Sequence, residues 1–229
     1  TLLRGCDMLC LPAEGRRDEV VWGGPEALEF IYSSPRDSFA ARPSERDPDR
    51  PFTVFYAGNM IEGRGLECMI EAVEPLEGVR LELAGAGPAR GRIEESARRL
   101  SRVALLERLP YDEVLRRTHS ADLLFRFSDP ALGETRRASP NKVFEAMMCA
   151  KPILVSAGGA MAERVERERC GLVVPYGDTD AVRNAVRRLK DDPALREALG
   201  ANGRRAYVER YGWPRMEQRL ARAYARLAR

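Results

Sequence analysis

The feature that most restricts the fold is a regular alternation of apolar runs with segments of helical spacing, from Phe52 to Pro175. Apolar runs occupy 52–57, 79–83, 103–106, 121–127, 152–156 and 171–175, and the spacing predicts helices over 66–73, 89–100, 111–118, 140–149 and 161–169. Such alternation is typical of β-α-β units with parallel strands. Continuous apolar runs indicate strands covered on both faces. The sequence therefore predicts an α/β fold with a doubly wound parallel sheet, followed by C-terminal helices.

A proline-rich stretch, 33–51, separates this regular region from the first part of the chain. It contains Pro35, Pro43, Pro48 and Pro51 and shows no periodicity, as expected for a linker. We therefore divide the chain into residues 1–50 and a main domain, 51–229. A chain of 229 residues with 44% hydrophobic content can bury one large domain and a smaller lobe.

The charge balance argues against a nucleic-acid-binding protein. Thirty-eight basic residues face 35 acidic ones, for a net charge of +3. Arginine alternates with glutamate over 163–169, which is typical of a solvated helix face, with an acidic partner or an anionic lipid surface as the alternative. Five cysteines and a single histidine form no plausible zinc set, so we expect no metal site.

The sequence lacks the features of membrane-spanning and secreted proteins. No apolar run approaches the roughly 20 residues of a membrane span, and no secretory signal is present. The cysteines suggest free thiols in a reducing compartment, and we expect a cytoplasmic protein. Because the chain starts at Thr1 and not at Met, we also expect it to be a piece of a longer protein.

The most informative segment is the start of the helix predicted at 140–149. Ser139 is a good N-cap and Pro140 suits the first helical position. Asn141 and Lys142 follow in the first turn, where backbone N–H groups lack helical partners. Such a terminus binds anions readily, and Lys142 adds a full positive charge. The segment predicts a site for a phosphate group.

The two faces of this helix extend the prediction to a nucleotide. At 3.6 residues per turn, Asn141, Lys142 and Glu145 share one side, and the apolar residues Val143, Phe144, Met147 and Met148 share the other. If the apolar side faces the sheet, Glu145 lines the cleft and can accept hydrogen bonds from sugar hydroxyls. The alternative is an ordinary capped helix with an exposed Lys–Glu pair.

Three glycine-containing loops follow predicted strands, where ligands bind in open α/β sheets. In the loop 58–65, Arg64 is in position to reach a phosphate, although this segment alone favours a plain flexible loop. The segment Gly85-Ala86-Gly87 lacks the third glycine of the dinucleotide fingerprint and indicates a tight turn. Gly158 and Gly159 fit a sugar pocket or a simple turn.

These parts occur in a familiar order. The order comprises the strand-glycine loop at 56–58, the segments 83–88 and 121–124, the run Ser139–Met147 with its S-P-N-K-x-F-E motif, and the segments 151–154, 158–159, 171–175 and 177–178. From Phe52 onward the chain resembles the C-terminal, donor-binding domain of retaining GT-B glycosyltransferases, the group 1 or family 4-like enzymes. The resemblance implies a Rossmann-like fold.

The resemblance also implies an activity. Such enzymes transfer a hexose with retention from a nucleoside-diphosphate sugar, of UDP or GDP, to a glycan or lipid-linked acceptor in polysaccharide biosynthesis, without a metal or other cofactor. Residues 1–50 would be the end of the N-terminal acceptor domain plus the interdomain linker. The implied partners are the donor, the acceptor and the missing N-terminal domain, with no nucleic acid, and the full enzyme would contact the inner face of the membrane peripherally. We expect little or no turnover by these 229 residues alone.

Roles for individual residues follow from the same resemblance. Glu145 matches the second glutamate of the paired-glutamate motif, which contacts the donor ribose. Lys142 and Asn141 match the loop that meets the diphosphate, and Arg64 matches the basic residue of a Lys-Gly pair. The predicted catalytic residues are Arg64, Lys142 and Glu145, and the predicted donor-binding residues are Gly58, Asn59, Leu109, Pro110, Ser139, Pro140, Asn141 and Gly159, with Leu109 and Pro110 at the base.

Two positions depart from the family pattern. Arg137 stands where the first glutamate of the motif is usual. Glu134 is a nearby acid and the candidate to substitute for it. Asn59 stands where many members carry arginine. These departures leave two alternatives open: a degenerate, non-catalytic GT-B module, and a GT-B-fold UDP-sugar epimerase, for which the sequence offers no evident acid–base pair.

Overall fold

The computed structural model describes residues 7–14, 16, 28–37, 49–98, 100–132 and 141–227. The first two strands, β1 (Leu9–Leu11) and β2 (Leu28–Phe30), form a small parallel pair in which Leu9 is aligned with Leu28. The short apolar run 7–11 predicts a strand, which β1 confirms, whereas no sequence pattern predicts β2. This pair lies outside the main sheet.

The main sheet has six parallel strands in the order β5-β4-β3-β6-β7-β8. These strands are β3 (Phe52–Ala57), β4 (Val79–Ala84), β5 (Val103–Leu106), β6 (Leu123–Arg126), β7 (Ile153–Ser156) and β8 (Gly171–Val174). The chain runs outward from β3 to β5, returns to place β6 beside β3, and continues to β8 on the other side. The predicted doubly wound α/β fold is confirmed, and its switch in direction lies between β3 and β6.

Helices connect the strands and complete the C-terminal part. They are α1 (Leu66–Val73), α2 (Arg90–Ala97), α3 (Tyr111–Ser120), α4 (Asn141–Met148), α5 (Ala160–Glu168), α6 (Thr179–Asp191), α7 (Pro193–Ala206) and α8 (Trp213–Leu227). Asp178 caps α6, because its carboxylate accepts a hydrogen bond from the Ala181 amide at 2.8 Å. A π-helical turn, Tyr207–Tyr211, and Gly212 separate α7 from α8.

The sheet is covered on both faces by hydrophobic clusters. One cluster packs α1, α2 and α6 against the sheet, through fully buried residues such as Met69, Ile93 and Val186. The other packs α4, α5 and the C-terminal helices, through residues such as Phe144, Val165 and Met216. Because both faces are buried, the strands are mainly apolar. Strand β4 departs from this pattern with the exposed Arg80 and with Glu82, which pairs with Arg117 at 2.8 Å.

The segment 28–37 packs against the C-terminal part of the chain. Tyr32 is 2% exposed, and its ring centroid lies 5.5 Å from those of Phe144 and Tyr211. The Arg164 guanidinium lies 5.0 Å from the centroid of the Tyr32 ring, which fits a cation–π contact. The Tyr207 hydroxyl also donates to the Pro35 carbonyl at 2.7 Å, so the start of the predicted linker, 33–51, is anchored to the main domain.

Candidate functional site

A cleft of about 520 Å³ opens at the carboxyl ends of β3 and β4 and is bounded by α4. Ligands of open α/β sheets bind at this edge, next to the switch in strand order. The lining combines glycine-rich backbone, apolar side chains and the polar side chains of one asparagine, one arginine, one tyrosine, one lysine and one glutamate. The lining residues are Ala57, Gly58, Asn59, Ile61, Ala84, Gly85, Ala86, Gly87, Pro88, Arg108, Leu109, Tyr111, Val114, Lys142 and Glu145.

The two glycine loops of the cleft pack backbone against backbone. The Gly58 amide donates to the Ala84 carbonyl at 2.9 Å, and the Met60 amide donates to the Ala86 carbonyl at 2.9 Å. A Cβ added at Gly85 would lie 1.9 Å from the carbonyl oxygen of Gly58. Gly85 is therefore required for this close approach, which agrees with the tight turn that the sequence indicates, and the same turn forms one wall of the cleft.

Lys142 lies in the first turn of α4, with its ammonium over the Tyr56 ring. The Lys142 Nζ is 5.1 Å from the ring centroid, and a Cβ at Gly58 would lie 3.5 Å from the Lys142 Cε. Burial lowers the pKa of Lys142, and the neighbouring Glu145 carboxylate opposes this effect. The lysine thus presents a poorly solvated positive charge at the inner end of the cleft, where an anion would be stabilised.

Glu145 lies one turn further along α4 and is 6% exposed. Beside its carboxylate is the hydroxyl of Tyr111, the first residue of α3. Burial, and then the Glu145 charge, raise the pKa of Tyr111, so its hydroxyl stays protonated at neutral pH. Sequence reasoning missed Tyr111 as a site residue, because α3 and α4 meet only in the folded chain.

Arg64 does not line the cleft in this structure but lies half-buried in the loop that leads to α1. This loop folds over the end of β6: the Asp129 amide donates to the Gly63 carbonyl at 3.0 Å, and a Cβ at Gly65 would lie 2.9 Å from the Phe127 ring. Gly65 has φ +59°, which glycine adopts without strain. The loop brings the Arg64 charge close to the last residue of β6.

That last residue is Arg126, which sequence reasoning also missed. It is 6% exposed, and its Nη1 donates to the Phe127 carbonyl and, at 2.7 Å, to the Ser128 Oγ. Burial, and then the Arg64 charge, lower the pKa of Arg126 to about 10. An arginine inside the apolar run 121–127 is the signal that could have drawn attention to it.

The other predicted donor-binding residues fall into three groups. Gly58, Asn59 and Leu109 line the cleft together with Lys142 and Glu145. Pro110, Asn141 and Gly159 do not line it: Pro110 precedes α3, Asn141 is exposed at the start of α4, and Gly159 precedes α5. The remaining calls, Ser139 and Pro140, lie outside the described residues, as do Glu134 and Arg137.

Among the residues that the structure describes, no three His, Cys, Asp or Glu side chains are grouped so as to hold a metal ion. Within the same ranges, no helix combines the length and apolar character that crossing a bilayer requires.

The fold and the cleft define a Rossmann-like α/β domain whose site offers a buried cation and a carboxylate on one helix. The family description "Glycosyl transferases group 1" matches residues 51–192, and the chain belongs to this family. It is 29% identical over 163 residues to the lipopolysaccharide core biosynthesis glycosyltransferase LpsD of Rhizobium meliloti. It is 27% identical over 208 residues to a GDP-mannose-dependent mannosyltransferase of Corynebacterium glutamicum that acts on a monoacylated phosphatidylinositol monomannoside.

These alignments cover 71% and 86% of this chain but only 46% and 53% of the two relatives, so the chain spans about half the length of the curated relatives it matches. Among solved structures, sucrose-phosphate synthase of Thermosynechococcus elongatus aligns with a TM-score of 0.82 at 22% identity, over 99% of this chain and 59% of that one. Anabaena HepE in complex with UDP-glucose aligns with a TM-score of 0.80 at 18% identity, over 96% and 64% of the two chains. These likenesses establish the GT-B-type fold.

Proposed function

We propose that this chain is the donor-binding domain of a retaining glycosyltransferase that uses a nucleoside-diphosphate sugar. The observation that carries the proposal is the presence of Lys142 and Glu145 in one cleft, on one turn of α4. A cation for phosphate and a carboxylate for sugar hydroxyls are the two groups that a nucleotide requires. Membership of the glycosyltransferase family and the UDP-glucose complex of HepE support this assignment.

In this proposal the diphosphate binds at the inner end of the cleft. Lys142 has a lowered pKa because burial disfavours its charge, so an incoming phosphate would restore favourable interactions to a poorly solvated ammonium. The N-terminal end of α4 adds the positive end of its dipole, and Arg64 approaches from the neighbouring loop. Both features favour the diphosphate over a neutral ligand.

The nucleoside would occupy the outer part of the cleft. Glu145 would accept hydrogen bonds from the ribose hydroxyls, with the Tyr111 hydroxyl beside it as a further donor. The side chains of Ile61, Leu109 and Val114 offer an apolar wall for the base. Neither the base nor the sugar is assigned.

The proposed reaction breaks the bond between the anomeric carbon and the diphosphate oxygen and forms a bond from the same face to an acceptor hydroxyl, which releases a proton. The leaving diphosphate gains negative charge as its bond breaks. Lys142 and Arg64 would stabilise that charge, the task that a metal ion performs in other enzymes. No side chain is assigned to the acceptor proton.

The acceptor and the activity of the whole protein belong to the same proposal. A lipopolysaccharide core enzyme and a phosphatidylinositol mannoside enzyme among the relatives suggest a glycan or lipid-linked acceptor. Since the chain spans about half the length of these relatives, we expect residues 1–229 alone to bind donor and to transfer little or no sugar. Robust transfer by this chain would contradict that expectation.

Calorimetric titration of the chain with UDP, GDP and ADP tests the proposal. One of them should bind, and Lys142→Ala and Glu145→Ala should each weaken that binding by about 10-fold or more. Lys190→Ala on α6 and Glu197→Ala on α7, away from the cleft, serve as controls and should bind as the wild type does. If no nucleotide binds the wild type, a non-catalytic module is favoured, and conversion of a UDP-sugar to its epimer without an acceptor would indicate an epimerase.

A further inference from the structure

We propose that Arg126 is a third phosphate-binding cation of the site and takes over the positive charge that Asn59 does not provide. This inference rests on the function proposed above, since it concerns the diphosphate of the same donor. It assigns a ligand-binding role to a residue that lies inside an otherwise apolar strand. The argument has three steps: the position of Arg126, its pairing, and its neighbours.

The position of Arg126 is the switch in strand order. Arg126 is the last residue of β6, which pairs with β3 on one side and β7 on the other. The carboxyl end of β3 leads directly into Gly58 and Asn59, which line the cleft. Arg126 is not among the residues that line the cleft, but it lies on the strand next to β3, at the point of an open α/β sheet where ligands approach the strand ends.

The hydrogen bonds that Arg126 makes to described residues do not neutralise its charge. The hydrogen bonds that it makes to described residues go to two uncharged oxygens, the Phe127 carbonyl and the Ser128 Oγ, and both come from Nη1. Ser128 is itself fixed, because its amide donates to Ser156 Oγ at 2.8 Å. Across the described ranges of the chain, no carboxylate forms an ion pair with Arg126. A buried charge is costly unless it is paired, so its retention at this edge points to an anionic ligand.

The neighbours of Arg126 are other cations. The Asp129 amide bonds the Gly63 carbonyl, which places the loop carrying Arg64 on the end of β6. The Arg64 charge contributes to the lowered pKa of Arg126, and the Arg126 charge contributes to the lowered pKa of Lys142. Three like charges thus converge on one corner of the site. Such a cluster disfavours the free protein and favours a ligand with two phosphate groups.

Asn59 explains why an additional cation is useful here. Many members of the family that the sequence resembles carry arginine at this position. Asn59 is exposed and lines the cleft, and its backbone carbonyl accepts a hydrogen bond from the Tyr56 hydroxyl at 2.8 Å. The Tyr56 ring lies under the Lys142 ammonium. The backbone of residue 59 therefore lies close to Lys142, and an arginine side chain at position 59 would add its charge to those of Lys142, Arg64 and Arg126.

The test separates this role from a purely structural one. Arg126→Gln keeps an amide that can donate to the Phe127 carbonyl but removes the charge, and Arg126→Lys keeps a charge. Arg196→Gln is the matched control, because Arg196 is buried like Arg126, at 8% against 6% exposed, and donates to the Leu189 and Lys190 carbonyls, away from the cleft. Thermal unfolding first verifies that each variant folds.

Each folded variant is titrated with the nucleoside diphosphate that binds the wild type best among UDP, GDP and ADP, and with its nucleoside. We expect Arg126→Gln to weaken diphosphate binding by about 10- to 100-fold, the range for a hydrogen bond to a charged group. Nucleoside binding should not change, Arg126→Lys should lose less, and Asn59→Arg added to Arg126→Gln should recover affinity. Arg196→Gln should bind like the wild type.

Two results overturn the proposal and are distinct. If the wild type binds and Arg126→Gln binds equally well, Arg126 is structural while the proposed function stands. If the wild type binds none of the three nucleotides, the proposed function is wrong, and the role of Arg126 that depends on it is wrong as well. If Arg126→Gln does not fold, the test uses Arg126→Lys and the double variant Arg126→Lys with Asn59→Arg. Equal diphosphate affinity in the wild type and in both of these variants contradicts the proposal.

Discussion

Replacing Lys142 with methionine should separate binding from stability. Methionine keeps most of the aliphatic length of the lysine and can still pack on the Tyr56 ring, but it removes the charge. Burial lowers the pKa of Lys142, so its protonated form is less stable in the folded protein than in water. Removing that charge should leave the free protein at least as stable as the wild type.

The loss of binding can be bounded from simple electrostatics. A lysine and a phosphate charge about 4 Å apart attract by roughly 4 kcal/mol at an effective dielectric constant of about 20. Desolvation of both groups offsets part of this attraction, which leaves a net contribution of about 2–3 kcal/mol, within the usual range for charged hydrogen bonds. We therefore expect Lys142→Met to weaken nucleoside diphosphate binding by about 30- to 150-fold.

Calorimetric titration with UDP, GDP and ADP measures the affinity, and urea denaturation measures the free energy of unfolding. The reasoning is refuted if Lys142→Met binds the diphosphate as tightly as the wild type does. It is refuted also if the variant is destabilised by more than about 2 kcal/mol, because the lysine would then be a structural residue with a favourable charge.

Three further predictions use the same cleft. Glu145→Gln should weaken nucleoside diphosphate binding by about 10-fold or more, and a 2′,3′-dideoxy analogue should bind wild type and variant alike in the same titration; a loss that persists with the analogue would contradict a ribose contact. Because the pKa of Lys142 is lowered from 10.5, diphosphate affinity measured across pH should fall as the pH rises through that lowered value, whereas Lys142→Arg should hold its affinity to higher pH. Gly85→Ala should lower the free energy of unfolding in urea by about 2 kcal/mol or more, since the new Cβ would lie 1.9 Å from the Gly58 carbonyl oxygen, while Gly91→Ala, in open space on α2, should not.

The main sheet was predictable because both of its faces are covered. The strands from Phe52 to Val174 had to be mainly apolar, and each helix between them had to present one apolar face. Helix α1 matches its predicted bounds, and β5 does as well. The short strand β2 escaped prediction because Glu29 interrupts its three residues, whereas β1 lies in the short apolar run 7–11.

Helical periodicity placed only the residues of one helix in the candidate site, and the family resemblance added Gly58, Asn59 and Leu109, which also line the cleft. Lys142 and Glu145 are close in sequence and on one helix, so helical periodicity was enough to place them together, and the structure shows both in the cleft. Tyr111 lies on α3 and Arg126 on β6, and the order of the strands in the sheet brings both close to α4. Their contribution depends on tertiary packing, which local pattern does not specify. The functional roles assigned to all four residues remain predictions.

A crystal structure of this chain with its preferred nucleoside diphosphate would test the central claim most directly. The account predicts the ligand in the cleft beside α4, with a phosphate oxygen within hydrogen-bond distance of the Lys142 Nζ and the ribose hydroxyls within hydrogen-bond distance of the Glu145 carboxylate. A nucleotide bound elsewhere on the chain, or bound in the cleft with its ribose turned away from Glu145, would contradict it.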